Sequence, residues 1–485
     1  MIKTSDVFTP AKLPTYTDVD RTQLSEELKR WMRHGGYFLS VMGTTKLGKT
    51  TLIKNFLNTQ TEDGWSIYIP GQSLQEGAQD LWKLLVNEFG IPTSQETGYA
   101  SSDKSTWKIL TKLAAKVPGL SASLGLDVSG EKQKTETTSN KFDVLPSRAV
   151  TEAIDLIREQ DQKVFIAVDD FHFVLDAAAR KSIVLALRPL AEEHGCSVIL
   201  STIPGGQEDV AFKNTNIGGR RKSIEVPKWH ENELKQIARQ GLSTLSLSLS
   251  EEAVSRLAKE SFGSPQIMQQ LCLDLCEETN KILEREENDE ELLLTEPSDW
   301  DKFFVSLKDD EAVNWVTKLS SGPNPRKKRK RKSHPGPPPH ELDGYQLIMR
   351  ALHELGSPHE VALSNIKQHI GERLGISGAE LNNLALEMKA RNLHMVASKD
   401  TKEAVEQQAL RDAGLDWELD EDAPIEDEED IEKGAFAELL AATAIPQPVF
   451  EAKGSRNQAV VRILDPLLCY ALKWHPEAIM EARAY

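Results

Sequence analysis

Two stretches of this 485-residue chain carry residue types suited to phosphate chemistry. At 43–50 the order is Gly43-Thr44-Thr45-Lys46-Leu47-Gly48-Lys49-Thr50, which completes the spacing G-x-x-x-x-G-K-[ST]. The glycines let successive N–H groups turn inward and approach an anion with no side chain in the way. A helix starting near Lys49 adds its N-terminal N–H groups and the positive end of its dipole. The Lys49 ammonium suits β- and γ-phosphates, and the Thr50 hydroxyl suits a Mg²⁺ ligand position. Gly43, Thr44, Thr45, Lys46, Leu47, Gly48 and Thr51 complete the expected phosphate-binding set. The second stretch is Val164-Phe165-Ile166-Ala167-Val168, followed by Asp169-Asp170. An apolar strand ending in an acid sets a carboxylate at the carboxyl edge of a sheet, where ligands of open α/β sheets collect. Asp169 is expected to hold Mg²⁺ through water. Asp170 is expected to orient or deprotonate an attacking water, or else merely to cap the next turn. Aspartate is one methylene shorter than the glutamate many such sites carry, which predicts slow hydrolysis or a need for partner contacts.

Three weaker positions join these. Val198-Ile199-Leu200 ends in Ser201-Thr202, where a hydroxyl can touch a γ-phosphate or its attacking water, or can simply end a strand. Gly218-Gly219-Arg220-Arg221 precedes the strand-like Ser223–Val226. A guanidinium there, Arg220 in particular, can stabilise charge on a transferring phosphate, or can be one of a solvated surface pair. Gly263-Ser264-Pro265 opens the helical run QIMQQLCLDLC. Ser264 as N-cap and Pro265 at the first helical position explain themselves structurally, and a helix end of that kind can also sense a nucleotide.

The elements that must position these residues follow from the apolar pattern. Tyr37–Met42 reads as a buried strand, then the loop, then a helix with Leu52, Ile53, Phe56 and Leu57 inward. A strand at Trp65–Ile69, helices at 75–90 and 105–116, a loop or mobile hairpin at 118–142 and a helix at 147–159 come next. The acidic strand, a helix at 177–193 and the strand 197–200 complete the alternation. Strands alternating with helices predict an α/β fold with a parallel sheet covered on both faces. From 229 to 283 the pattern is helical, with further helices at 299–319. Residues 322–340, GPNPRKKRKRKSHPGPPPH, read as a linker. Helical patterns at 343–355, 361–374 and 377–391 and an apolar stretch Leu393–Val396 suggest three helices and a strand, hence a winged helix. The expected domains are an α/β nucleotide domain at 1–228, a helical lid at 229–321 and the linker at 322–341. A winged-helix-like domain at 342–400, an acidic flexible segment at 401–432 and a helical or winged-helix segment at 433–485 follow.

Composition narrows the classes. Net charge is −17, from 58 basic and 75 acidic residues, against a uniform nucleic-acid coat. Charge is uneven: 416–432 holds eleven acids, whereas Arg326, Lys327, Lys328, Arg329, Lys330, Arg331 and Lys332 are consecutive cations. That run could neutralise DNA phosphates or act as an import signal, or it could be a solvated, self-repelling linker. No stretch reaches the ~20 apolar residues of a membrane helix, and no secretory leader is visible, so a cytoplasmic protein is expected. Cys196, Cys272, Cys276 and Cys469 read as packing residues. The eleven histidines have no metal-ligand spacing, and no G-x-S-x-G or paired Cys/His signature is present.

Together these residues resemble the STAND-type and origin-recognition-like branches of the AAA+ ATPases. The resemblance runs through Thr17-Asp18-Val19-Asp20-Arg21, similar to the family's N-terminal motif with Asp in place of Gly. It continues through the phosphate loop, Asp169-Asp170, Ser201-Thr202, Gly219-Arg220 and Gly263-Ser264-Pro265, over roughly residues 10–283. It implies an α/β nucleotide domain, a helical lid and often a winged helix, and it makes Val19 and Arg21 candidates for holding the base. Origin-recognition-like proteins carry a lid arginine where this chain has Gln266, so the paired acids and the Gly-x-Pro lean to the STAND side. Val461–Leu468 resembles a segment at the end of some prokaryotic ATPases of this group. The expected cofactors are ATP and Mg²⁺. The expected function is an ATP-binding and hydrolysing STAND/AAA+-like switch that changes conformation or assembles, in prokaryotic defence or signalling, with self-association and a separate protein effector. The alternatives are a DNA-associated ATPase, either a loader or a transposition-type regulator using the basic run and the winged helix, and a nucleotide-binding scaffold with little hydrolysis.

Overall fold

A parallel sheet of five strands, rich in β-branched and aromatic residues, organises the nucleotide part of the chain. In the computed structural model these are β1 (Phe38–Met42), β2 (Gly64–Pro70), β3 (Lys163–Asp169), β4 (Ser197–Thr202) and β5 (Arg221–Glu225), in the order β2-β3-β4-β1-β5. The structure describes residues 1–60, 64–91, 146–174, 176–203, 218–286, 289–323, 329–335, 340–394, 396–397, 449–454 and 458–482. The sequence expectations at 105–116, 118–142 and 401–432, the first part of the expected C-terminal segment, 433–448, and Arg326, Lys327 and Lys328 fall outside them. The chain forms two compact units, one of Arg21–Gly43 with Lys49–Val226, the other of Met1–Asp20, Thr44–Gly48 and Pro227–Tyr485.

In the α/β unit, strand order decides which residues meet. β1 lies between β4 and β5, and β3 lies between β2 and β4, all parallel. Met42 pairs with Thr202 and Val168 with Leu200, so the ends of β1, β4 and β3 stand in a row at one sheet edge. The helices are α1 (Thr22–Met32), α2 (Lys49–Thr59), α3 (Ala78–Glu88), α4 (Pro146–Arg158) and α5 (Ala177–Glu192). Parallel strands cannot be joined by a tight turn, and α2 to α5 lie in the long connections between β1, β2, β3 and β4. Val164, Phe165, Ile166, Ala167 and Val168 are all buried, as a strand covered on both faces requires. Phe56 of α2 meets Phe165 of β3 edge to face, with centroids 5.4 Å apart.

The second unit is largely helical. It contains α6 (Glu231–Thr244), α7 (Glu251–Glu260), α8 (Pro265–Asp274), α9 (Trp300–Ser306), α10 (Asp310–Ser321), α11 (Gly344–Glu354), α12 (Leu363–Leu374), α13 (Gly378–Asn382) and α14 (Pro466–Trp474). The N-terminal arm is fastened to it: the Thr17 hydroxyl lies 3.2 Å from Gln269 Oε1, and the Thr9 amide donates to the same oxygen at 2.6 Å. Gly241 in α6 permits this, since a Cβ there would stand 2.3 Å from Phe8. Glu260, 6% exposed, takes both its oxygens to Lys473 at 2.6 Å and accepts from the Trp474 indole at 3.1 Å.

Three sequence expectations change here. Leu393 is helical, as are residues 386–394 and 396–397, so the expected strand Leu393–Val396 is absent at its described positions. A four-residue apolar run cannot by itself distinguish strand from buried helix. The helix expected at 377–391 breaks after α13 at Ala385, whose φ of 48° is left-handed. The stretch 229–283, read as wholly helical, includes the two-residue strand Leu247–Ser248, paired with Leu292–Leu293. The strand partners near the C-terminus are β6 (Glu360–Ala362), β7 (Phe450–Lys453) and β8 (Val460–Ile463), antiparallel in the order β6-β8-β7. Asp465-Pro466 then stops β8 and starts α14, with Asp465 accepting from the Leu467 amide at 2.8 Å.

Candidate functional site

Lys49 opens α2 and is 6% exposed, its ammonium donating to the Gly43 carbonyl at 3.0 Å. Burial lowers its pKa, while Asp170 and Asp169 pull it back up. Gly43 has no room for a side chain: a Cβ would sit 2.9 Å from the Val226 carbonyl. Thr50 and Thr51 follow in the first turn of α2. Gly48 at φ 85° and Lys46 at φ 61° give the loop its left-handed turns, which glycine adopts freely and lysine at a cost of about 1–2 kcal/mol.

Asp169 ends β3 with 1% exposure. Its Oδ1 accepts from the Asp170 amide at 3.0 Å and its Oδ2 from the Tyr68 hydroxyl at 2.8 Å. Asp170 is left-handed, φ 50° and ψ 45°, and precedes a short turn at Phe171–Phe173 with no side-chain capping bond to it. A non-glycine residue held there stores strain of order 1–3 kcal/mol, and such strain gathers at functional positions. Burial first, then Asp169, pushes the Asp170 carboxyl up to about 6, against the pull of Lys49. His172 approaches Asp170 at 4.0 Å. Burial and Lys49 push that imidazole down to about 3, so it is neutral and the pair is not an ion pair near pH 7. The loop after β2 presses on this turn, and a Cβ on Gly71 would lie 2.4 Å from the Asp170 carbonyl.

Ser201 and Thr202 close β4 with 0% and 3% exposure. The Ser201 hydroxyl is buried and finds no hydrogen-bond partner among the described residues. A buried hydroxyl left unpaired costs about 1–3 kcal/mol, and phosphate oxygens or their waters would satisfy it. With Lys49 and two adjacent carboxylates, the donor set fits a triphosphate carrying a hard divalent cation. Arg220 lies in the same unit, half exposed, paired to Glu192 at 3.1 Å.

Thr44–Gly48, the crown of the phosphate loop, belongs to the helical unit. The Trp229 indole donates to the Leu47 carbonyl at 2.9 Å, and its ring lies about a van der Waals contact from where a Gly48 Cβ would stand. The Ser264 hydroxyl reaches the Lys46 carbonyl at 3.4 Å while also capping α8, where Pro265 takes the first position. The Lys46 ammonium pairs with Asp465 Oδ2 at 2.7 Å. Val19, 5% exposed, packs in this unit's core, and Arg21 precedes α1. Sequence reasoning missed Tyr68, Gly71, Trp229 and Asp465. Only the Val461–Leu468 resemblance pointed to one of them.

Elsewhere, the described part of the basic run is partly engaged. Arg329 donates to Asp343 at 2.9 Å and to the Ser321 and Pro323 carbonyls, with its guanidinium 4.5 Å from the Tyr345 ring centroid. Lys332 pairs with Glu380 at 2.6 Å. The four cysteines are buried free thiols, their pKa values raised by burial. Among the described residues no His/Cys/Asp/Glu cluster of metal-binding form occurs, and no helix is long and apolar enough to cross a membrane.

No curated protein matches the chain. Among solved structures, the ORC2 protein of Aeropyrum pernix in its ADPNP–ADP complexes is 12% identical, with a TM-score of 0.44, over 98% of this chain and 97% of that one. Cdc6p from Pyrobaculum aerophilum is 12% identical over 98% of each chain, with a TM-score of 0.37. The RuvB Holliday junction branch migration motor of Thermotoga maritima is 11% identical over 76% of this chain and 85% of that one, with a TM-score of 0.32. Residues 32–209 match the family model of the AAA domain, which supports an ATPase at the general level and spans the phosphate loop, Asp169-Asp170 and Ser201-Thr202.

Proposed function

We propose that this chain binds ATP with Mg²⁺, hydrolyses it slowly, and serves as a nucleotide-controlled switch of the STAND kind, its nucleotide state passed to the C-terminal region. The observation that carries the switch is the Lys46–Asp465 ion pair, 2.7 Å long, between the phosphate loop and the cap of α14. A loop that must envelop phosphates is thereby tied to a segment 419 residues later. The left-handed Asp170, Gly263-Ser264-Pro265 capping α8 and the absence of a lid arginine at Gln266 support the same reading.

In this reading Lys49 and the loop amides bind the β- and γ-phosphates. Mg²⁺, held by Thr50 and Asp169, would neutralise charge on the phosphates when bound. Asp170 takes the proton of the attacking water. A carboxyl near 6 is ionised at neutral pH yet basic enough to accept one, the balance general-base catalysis favours. Ser201 and Thr202 orient that water or the γ-phosphate. The three-helix and three-strand arrangement around β6-β8-β7 supports a winged-helix module.

The test is calorimetric titration of the full chain with ATP, followed by phosphate release and by sizing with and without ATP and duplex DNA. Uptake by the wild type, none by Lys49→Ala, and uptake without turnover by Asp170→Ala are expected. ATP-dependent change in size without DNA favours the switch, while salt-sensitive stimulation by DNA favours the DNA-associated alternative. Failure of the folded protein to take up any purine triphosphate overturns the proposal.

A further inference from the structure

Tyr68 stands outside every motif in the sequence, yet it makes a hydrogen bond to Asp169, the carboxylate assigned to the metal. It lies in β2 opposite Ala167 of β3, and the register carries on to Pro70 opposite Asp169. Ala167 and Asp169 are two apart on one strand and share a face. The small Ala167 leaves the phenol room to reach along the neighbouring strand, and its hydroxyl donates to Asp169 Oδ2 at 2.8 Å. The other oxygen is already taken by the Asp170 amide at 3.0 Å. Two donors thus fix the carboxylate in one plane.

The phenol is itself held. Lys54 of α2, one turn after Thr50, places its ammonium 4.4 Å from the Tyr68 ring centroid. A cation over the ring draws electron density from it and makes the hydroxyl a better donor. A phenol hydroxyl carries its proton near neutral pH and so serves as the donor to the carboxylate. Lys54, Tyr68 and Asp169 form a relay from the helix that carries Thr50 to the strand that carries Asp169, joining two expected metal ligands through their supporting shell.

We propose that Tyr68, supported by Lys54, is a positioning residue that aims the Asp169 carboxylate at a divalent cation and so makes the site select the metal-bound triphosphate over the free one. This rests on the reading of Asp169 as the metal-holding acid. Partners that orient a ligating carboxylate are worth about 10- to 100-fold in metal affinity or activity when removed. Tyr68→Phe keeps the ring, its packing and its contact with Lys54, and deletes only the donor.

The experiment is calorimetric titration of the full chain with ATP in Mg²⁺ and in EDTA, taking the ratio of the two affinities for the wild type and for Tyr68→Phe, Lys54→Met and Asp169→Asn. Thermal melts without nucleotide confirm folding. The expected result is an unchanged EDTA affinity, a ratio lowered about tenfold in Tyr68→Phe and less in Lys54→Met, and a ratio near one in Asp169→Asn. If Asp169→Asn loses the ratio while Tyr68→Phe keeps it, the role of Tyr68 is refuted and the assignment of Asp169 stands. If Asp169→Asn keeps the wild-type ratio, the metal assignment itself fails and the Tyr68 role falls with it. A fall in Tyr68→Phe affinity equal in Mg²⁺ and EDTA assigns the residue to general structure and also overturns the proposal.

Discussion

Asp465→Asn should tighten nucleotide binding, because the carboxylate does two separable things. Its Oδ1 caps α14 through the Leu467 amide, and its Oδ2 holds the Lys46 ammonium at 2.7 Å. Asparagine caps a helix about as well as aspartate, so the substitution removes the ion pair and spares the helix. The side chains are 28% and 17% exposed, so the pair is shielded more than a surface bridge but is not deeply buried. Two unit charges ~4 Å apart attract by about 4 kcal/mol at an effective dielectric near 20. Desolvation and ordering consume much of that, leaving about 1–2 kcal/mol, or about 5- to 30-fold in a binding constant. Freed from Asp465, Lys46 adds its charge to the phosphate loop, and a neighbouring negative charge disappears. Lys46→Met does the reverse, deleting the cation and leaving the carboxylate unpaired beside the loop, so it should weaken binding by a similar factor. The assay is competition with a fluorescent ADP at low salt, repeated at high salt, where both effects should shrink. An Asp465→Asn protein with an unchanged melting temperature and ATP affinity no tighter than wild type would refute the coupling.

Three further outcomes follow. Gly71→Ala drives a Cβ to 2.4 Å from the Asp170 carbonyl and 2.9 Å from that of Asp169, so the turn must shift. Turnover should fall about a hundredfold while ATP binding in EDTA persists, read by phosphate release beside calorimetry. Asp170 has its carboxyl raised from 3.8 to about 6, so the folded state holds this proton more tightly than the unfolded one. Its contribution to stability is therefore present below about pH 4 and lost as pH rises through about 6. In nucleotide-free protein with EDTA, Asp170→Asn should melt higher than wild type at neutral pH and no differently near pH 4. Glu260→Ala leaves the half-buried Lys473 ammonium and the Trp474 indole without their acceptor and should cost about 1–3 kcal/mol in denaturant unfolding of the full chain.

What the sequence disclosed was whatever is constrained within a few residues. The phosphate loop is one continuous turn from strand into helix, so its glycines, lysine and threonine needed no distant partner to be recognised. The strand before Asp169 is apolar at every position because both its faces are covered, and that too is a local signature. Ser264 and Pro265 disclosed a helix start for the same reason. The parts that were not legible are pairings across long separations. Tyr68 meets Asp169 across 101 residues and Lys46 meets Asp465 across 419, and neither partner's neighbours announce the other. The strand misplaced at Leu393–Val396 has the same cause, since β6 finds its partner in Val460–Ile463 rather than in the next apolar run.

Gly71 shows where the boundary lies. Pro70-Gly71 after an apolar strand reads locally as a turn, and any small residue would satisfy that reading. That a single carbon is forbidden there follows only from the register that sets Pro70 against Asp169 and brings the left-handed Asp170 beneath it. The strain at Asp170 and the bare backbone at Gly71 are thus one feature seen from two strands. A glycine on β2's exit makes room for an aspartate in the left-handed region, which aspartate enters more readily than most residues but less freely than glycine. If that conformation served only to turn the chain, glycine at 170 would do it at lower cost. An acid at that position, where glycine would turn the chain at lower cost, is what the role proposed for the Asp170 carboxylate requires.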